Sequence, residues 1–134
     1  MAADLLTPGF EIGIVTTDLE PMLAFYRDHL GFALEGDLDF VGGTMKRFKL
    51  GESTLKLVTY DEDPVGEVVP GGGRVARGFR YLSIFVSNLL EVHDALVESG
   101  FEIGESITEF GGGVSFFFVV DPDGNWLEIA GPVS

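Results

Sequence analysis

The strongest constraint on this chain is an internal repeat. Residues 11–19, EIGIVTTDL, align with residues 81–89, YLSIFVSNL, at an offset of 70. Each stretch opens on an apolar pattern that reads as a strand. Each then reaches a residue suited to capping a helix, Asp18 or Asn88. Pro21 falls in the first helical turn, where a missing N–H is tolerated. Met22, Leu23, Phe25, Tyr26 and Leu30 then form the apolar face of one helix, and Leu89, Val92, Leu96 and Val97 that of the other. Gly31 and Gly100 follow as C-caps.

The remainder of each copy is β. Strands are predicted over 32–38, 44–50 and 53–60, and again over 101–109, 114–120 and 126–130. Gly42-Gly43 and Gly111-Gly112-Gly113 mark matching turns. Each copy therefore reads βαβββ, with module one over 8–60 and module two over 79–131. Residues 61–78, rich in Gly, Pro, Val and charge, read as a partly ordered linker. A unit of about 50 residues buries too little of a sheet face to stand alone. The expectation is one α+β domain over 1–134, in which two paired βαβββ modules form a curved sheet around a cavity.

Strand parity then sorts the side chains, because alternate residues share a face. Ile12, Ile14, Leu55, Leu57, Leu82, Ile84, Val86, Leu127 and Ile129 suit the helix-packed faces. Four polar residues fall on the opposite faces at matching places: Glu11 with Tyr81, and Lys56 with Glu128. Glu128 lies between Leu127 and Ile129 in the strand that follows the turn DPDGN, where a carboxylate needs a partner. Phe85, Phe116, Phe118 and Trp126 share the same side and offer aromatic walls to a planar or apolar ligand.

Composition narrows the partners. The net charge of −14, from 22 acids and eight bases, repels phosphate backbones and argues against nucleic acid. Seven of the eight bases lie between Lys46 and Arg80, either as a solvated middle section or as an anion-facing patch. No apolar run is long enough to span a membrane, and the first residues lack the pattern of a signal peptide. The chain has no cysteine, which removes disulfides, thiolate metal sites and a cysteine nucleophile. A cytoplasmic protein is the simplest reading.

The paired βαβββ plan resembles the vicinal oxygen chelate superfamily, which includes glyoxalase I, extradiol dioxygenases, and fosfomycin- and bleomycin-resistance proteins. The stretches that carry the resemblance are IGIVTTDLEPMLAFYRDHLGF, residues 12–32, and FFFVVDPDGNWLEIAG, residues 116–131. The resemblance implies a small organic ligand or substrate and a homodimer. It also implies that Glu11, Lys56, Tyr81 and Glu128 occupy the places where metal-dependent members keep their ligands. Only Glu128 matches that pattern. A lysine ammonium is a donor only, a tyrosine hydroxyl ligates poorly at neutral pH, and two carboxylates favour hard ions such as Mg²⁺ or Ca²⁺. No cofactor is expected, and a divalent metal would find a poor ligand set. His29 and His93 fall on the helices, outside the motif.

A charge-paired cluster is the expected substitute. Lys56 would sit between Glu11 and Glu128, one carboxyl would keep a raised pKa and exchange protons, and Tyr81 would donate to a substrate carbonyl. The leading expectation is thus a metal-free lyase or isomerase. A drug-sequestering binding protein and a metal-dependent lyase or dioxygenase stay open as alternatives. DPDG departs from a calcium loop in spacing and reads as a hairpin turn. Residues 71–74, GGGR, lack the Lys-Ser/Thr of a phosphate loop and read as a flexible linker or lid. No serine has a histidine placed for a catalytic triad.

Overall fold

The structure is a computed structural model that describes residues 1–133. It has two compact units, one ending at Val65 and the next starting at Gly66, so their boundary falls inside the stretch expected as a linker.

The first unit runs β1 (Glu11–Val15), α1 (Leu19–Leu23), β2 (Ala33–Phe40), β3 (Gly43–Leu50) and β4 (Ser53–Tyr60). Its sheet has the order β1-β4-β3-β2, with β1 parallel to β4 and the other pairs antiparallel. The second unit repeats this with β5 (Tyr81–Phe85), α2 (Leu89–Glu98), β6 (Ile103–Gly111), β7 (Val114–Val120) and β8 (Trp126–Gly131). Its order is β5-β8-β7-β6, again with one parallel pair, β5 to β8. Both modules are therefore βαβββ, as the repeat predicts, and the chain is α+β. No described helix is long and apolar enough to cross a membrane.

Each helix covers one face of its own module's sheet. In the first, Met22, Phe25, Tyr26, Phe48 and Leu57 are fully buried; in the second, Leu89, Phe117, Val119 and Ile129 are. Each such side chain contributes about 1.5–3 kcal/mol by leaving water. Phe25 and Tyr26 meet edge to face, with centroids 4.9 Å apart. The first helix continues beyond Leu23 as a π-helical segment, Ala24–His29, and the Leu30 amide donates to the Phe25 carbonyl one residue further back than α-helical spacing. The second helix stays α-helical throughout.

Several local expectations change. Asp18 and Asn88 do occupy the N-cap positions, but neither side chain makes a capping hydrogen bond; the Asp18 amide instead donates to Thr16 Oγ1 at 3.1 Å. Val97 faces solvent rather than the sheet, and Ile12 is only partly covered because β1 is an outer strand of its sheet. His93, on the second helix as expected, packs its ring edge-on to Phe117, with centroids 5.0 Å apart.

The turn before β8 is built around Asp121, which is buried. Its carboxylate accepts hydrogen bonds from the Asp123 and Asn125 amides at 3.0 and 2.9 Å, and both oxygens accept from Asn125 Nδ2. The carboxylate that resembled a cation ligand therefore serves the turn itself.

Candidate functional site

The four matched polar residues start from strand register. In the first module Gly13 pairs with Lys56, and Lys56 pairs on its other side with Arg47. In the second, Ser83 pairs with Glu128, and Glu128 pairs on its other side with Phe118. The face away from the helix is thus laid out identically in both modules but carries different chemistry.

In the first module that face is ionic. Arg47 donates through both terminal nitrogens to the two oxygens of Glu11, at 3.1 and 3.3 Å, and Lys56 Nζ lies 3.4 Å from Glu11 Oε1. Hydrogen bonds from Arg47, and then from Lys56, hold the Glu11 carboxyl below its ordinary pKa. The same pairing with Glu11 raises Arg47. Glu11 therefore has two cationic partners, and of the two carboxyls expected to share Lys56 it is the one whose pKa is lowered and not raised. Lys56 is correspondingly engaged by Glu11 within its own module. Arg47 is the partner that the sequence reading missed, although its place directly opposite Lys56 on the neighbouring strand was the available signal.

In the second module the face is aromatic. Phe118 is the hub: Tyr81 meets it edge-on at 5.1 Å, Trp126 lies tilted against it at 5.2 Å, and Phe116 stands at 6.0 Å. Tyr81 is about half exposed, so one side of its ring is open to a ligand. Phe85 occupies the same face by register and is largely exposed. Glu128, opposite Phe118, accepts a hydrogen bond from Ser83 Oγ at 2.7 Å. Ser83 is a second residue the sequence reading passed over; it lies directly across the parallel pair from Glu128.

Tyr81, Phe118 and Trp126 form the floor of a cleft of about 360 Å³, within the range of small-molecule sites. Gly71, Gly73 and Arg74 of the GGGR stretch also line it, and Gly72–Arg74 forms a 3-10 turn. That turn is anchored rather than flexible. Arg80 donates from Nε to the Gly72 carbonyl and from Nη2 to the Val69 carbonyl, each at 2.8 Å. The Trp126 indole is held between two glycines: a Cβ on Gly72 would come within 2.5 Å of it, and one on Gly104 within 2.7 Å. Only glycine leaves room for the ring at both places. Nothing in the local sequence pairs Trp126 with residues 72 and 104, since their meeting depends on the path of the loop.

The donors do not suit a transition metal. Glu11 is taken by Arg47 and Lys56, and Lys56 is itself cationic, which leaves Glu128 as a lone carboxylate among the four matched residues. Among the described residues no three His, Cys, Asp or Glu side chains come together.

A family model for the Glyoxalase/Bleomycin resistance protein/Dioxygenase superfamily matches residues 10–129, and the chain belongs to that superfamily. Solved structures agree on the fold. A glyoxalase family protein from Bacillus cereus superposes with a TM-score of 0.83 at 16% identity, covering 98% of this chain and 97% of that one. A glyoxalase/bleomycin resistance protein from a Streptomyces species gives 0.67 at 23% identity, covering 90% and 97%. A lactoylglutathione lyase from Agrobacterium tumefaciens gives 0.62 at 22%, covering 91% of each chain. No curated protein sequence shows significant similarity to this one.

Proposed function

We propose that this chain binds a small, planar, largely apolar molecule in the cleft of its second module, and does so without a metal. The observation that carries the reading is the convergence of Tyr81, Phe118 and Trp126 beside an anchored glycine turn. Aromatic floors of this kind favour flat ligands through stacking and edge contacts. The donor set described above supports chemistry that draws on no metal. Calorimetric titration with a neutral planar compound such as cinnamyl alcohol tests the reading. Binding that weakens about tenfold in Tyr81→Ala supports it. Absence of binding to any planar compound in a small panel would refute it.

A second reading is favoured by the Ser83–Glu128 hydrogen bond, which orients a carboxylate beside the aromatic floor with no cation pairing it among the described residues. There Glu128 would remove the proton next to the carbonyl of a bound hydroxyketone while the Tyr81 hydroxyl donates to the carbonyl oxygen. The products of that step are an enediolate, its oxygen held by the Tyr81 hydroxyl, and a protonated Glu128; the hydroxyl proton passes to the neighbouring enediolate oxygen, and return of the Glu128 proton to the former carbonyl carbon completes an isomerisation. Solvent deuterium entering 2-hydroxyacetophenone faster than in buffer, and no faster than in buffer with Glu128→Gln, is the expected result. Exchange at the buffer rate with the unaltered protein would dismiss the catalytic reading and leave the binding one intact.

A further inference from the structure

The cleft carries one charged group of each sign, Arg74 and Glu105. In a chain with 22 acids and eight bases, an acid beside any cleft follows from composition, whereas an arginine does not. Nor is Arg74 spent elsewhere. Arg27 pairs with Asp28, Arg47 with Glu11, and Arg80 with two backbone carbonyls, while Arg74 makes no hydrogen bond or ion pair among the described residues. The backbone that carries it is also anchored. Arg74 ends the 3-10 turn whose Gly72 lies against Trp126 and whose Gly72 carbonyl is held by Arg80. A guanidinium is a planar fork matched to a carboxylate, and Arg74 lines the same cleft as the three rings.

The geometry points to a specific ligand class: a planar organic anion, with its ring against the exposed side of Tyr81 and the edges of Phe118 and Trp126, and its acid group on Arg74. Arg80 is then a positioning residue, acting through the turn and not on the ligand. This inference rests on the binding reading above and adds the charge of the ligand to it. The competing assignment is a cation, held by Glu105 and by the faces of the rings.

Trp126 is the sole tryptophan, so its indole N–H gives a single, identified reporter signal in a nitrogen-proton correlation spectrum. Three probes of one size and flatness separate the possibilities: trans-cinnamate, cinnamyl alcohol and protonated cinnamylamine. Each is titrated while the indole signal is followed. Cinnamate is expected to bind about tenfold more tightly than the alcohol, and the ammonium probe no more tightly than the alcohol. Arg74→Gln should bring cinnamate down to the affinity of the alcohol. Arg74→Lys, which keeps the charge and loses the fork, should fall between. Arg80→Gln should weaken cinnamate while Arg74 is still present, and should add little on top of Arg74→Gln. Equal affinities, tightest binding of the ammonium probe, or a cinnamate preference that survives Arg74→Gln would overturn the anion assignment while leaving the aromatic cleft standing. No response of the indole to any of the three probes would overturn the cleft reading itself, and this inference with it.

Discussion

Where the first module sets Arg47 opposite Lys56 across its sheet, the second sets Phe118 opposite Glu128. Where the first begins on Glu11, the second begins on Tyr81. The outer strands break register at matched places too, between Leu34 and Gly36 in one and between Ile103 and Glu105 in the other. The residue skipped in the first is Glu35, whose charge acts on Arg47; the residue skipped in the second is Gly104, which seats Trp126. The faces under the helices show no such divergence, since both are closed aliphatic and aromatic cores. One scaffold thus carries the same kind of packing in both copies, while its other face is an ionic cluster in one and an aromatic cleft in the other. Packing constrains the helix side to large apolar groups. The opposite side is free to take whatever chemistry a ligand requires.

The two modules should differ most at Gly104. Replacing it with valine forces a side chain into the Trp126 ring, and we expect a loss of about 1–3 kcal/mol of stability, read by thermal denaturation, together with loss of planar-ligand binding. Arg80→Gln comes next. It removes two hydrogen bonds to the Gly72 and Val69 carbonyls and should cost about 1–2 kcal/mol, with faster proteolytic cleavage between residues 69 and 74 than in the parent.

The ionic module should respond more weakly and mainly to pH. Because Arg47 and Lys56 hold the Glu11 carboxyl below its ordinary pKa, this contact stabilises the fold above the ordinary carboxylate pKa. The contribution is lost as pH falls through the depressed value. Arg47→Gln should raise the Glu11 titration midpoint toward that of an ordinary carboxyl, seen in its carboxyl carbon shift, and should shrink the drop in melting temperature that Glu11 contributes on acidification. The smallest effect is expected at Gly36, beside the matched bulge, where an added Cβ meets nothing. Gly36→Ala should change stability by less than about 0.5 kcal/mol. A large loss there would mean that the two bulges do the same work.

Much of this architecture was legible in the sequence because it repeats. Two strand–helix openings 70 residues apart, and strict alternation in LKL and LEI, were enough to place the strands and to put Glu11, Lys56, Tyr81 and Glu128 on one kind of face. Cross-strand neighbours were less visible. Arg47 and Ser83 are brought to Lys56 and Glu128 by register, which alternation within a single strand does not reveal. The caps misled for a related reason. Asp18 and Asn88 stand where capping residues stand, but the Thr16 hydroxyl meets the Asp18 amide and neither side chain turns back to its helix. The cleft was the least legible part. Its floor could be listed from parity, but the turn beside it depends on Arg80 reaching back to residues 69 and 72 and on two glycines closing over one indole.

The proposed function assigns ligand recognition to the aromatic module and not to the ionic one. Amide shift mapping of the labelled protein during titration with cinnamyl alcohol tests it most directly. The perturbations are expected to concentrate at Tyr81, Gly104, Phe118 and Trp126, with the Trp126 indole moving furthest. Perturbations centred on Glu11, Arg47 and Lys56, with Trp126 unmoved, would contradict it.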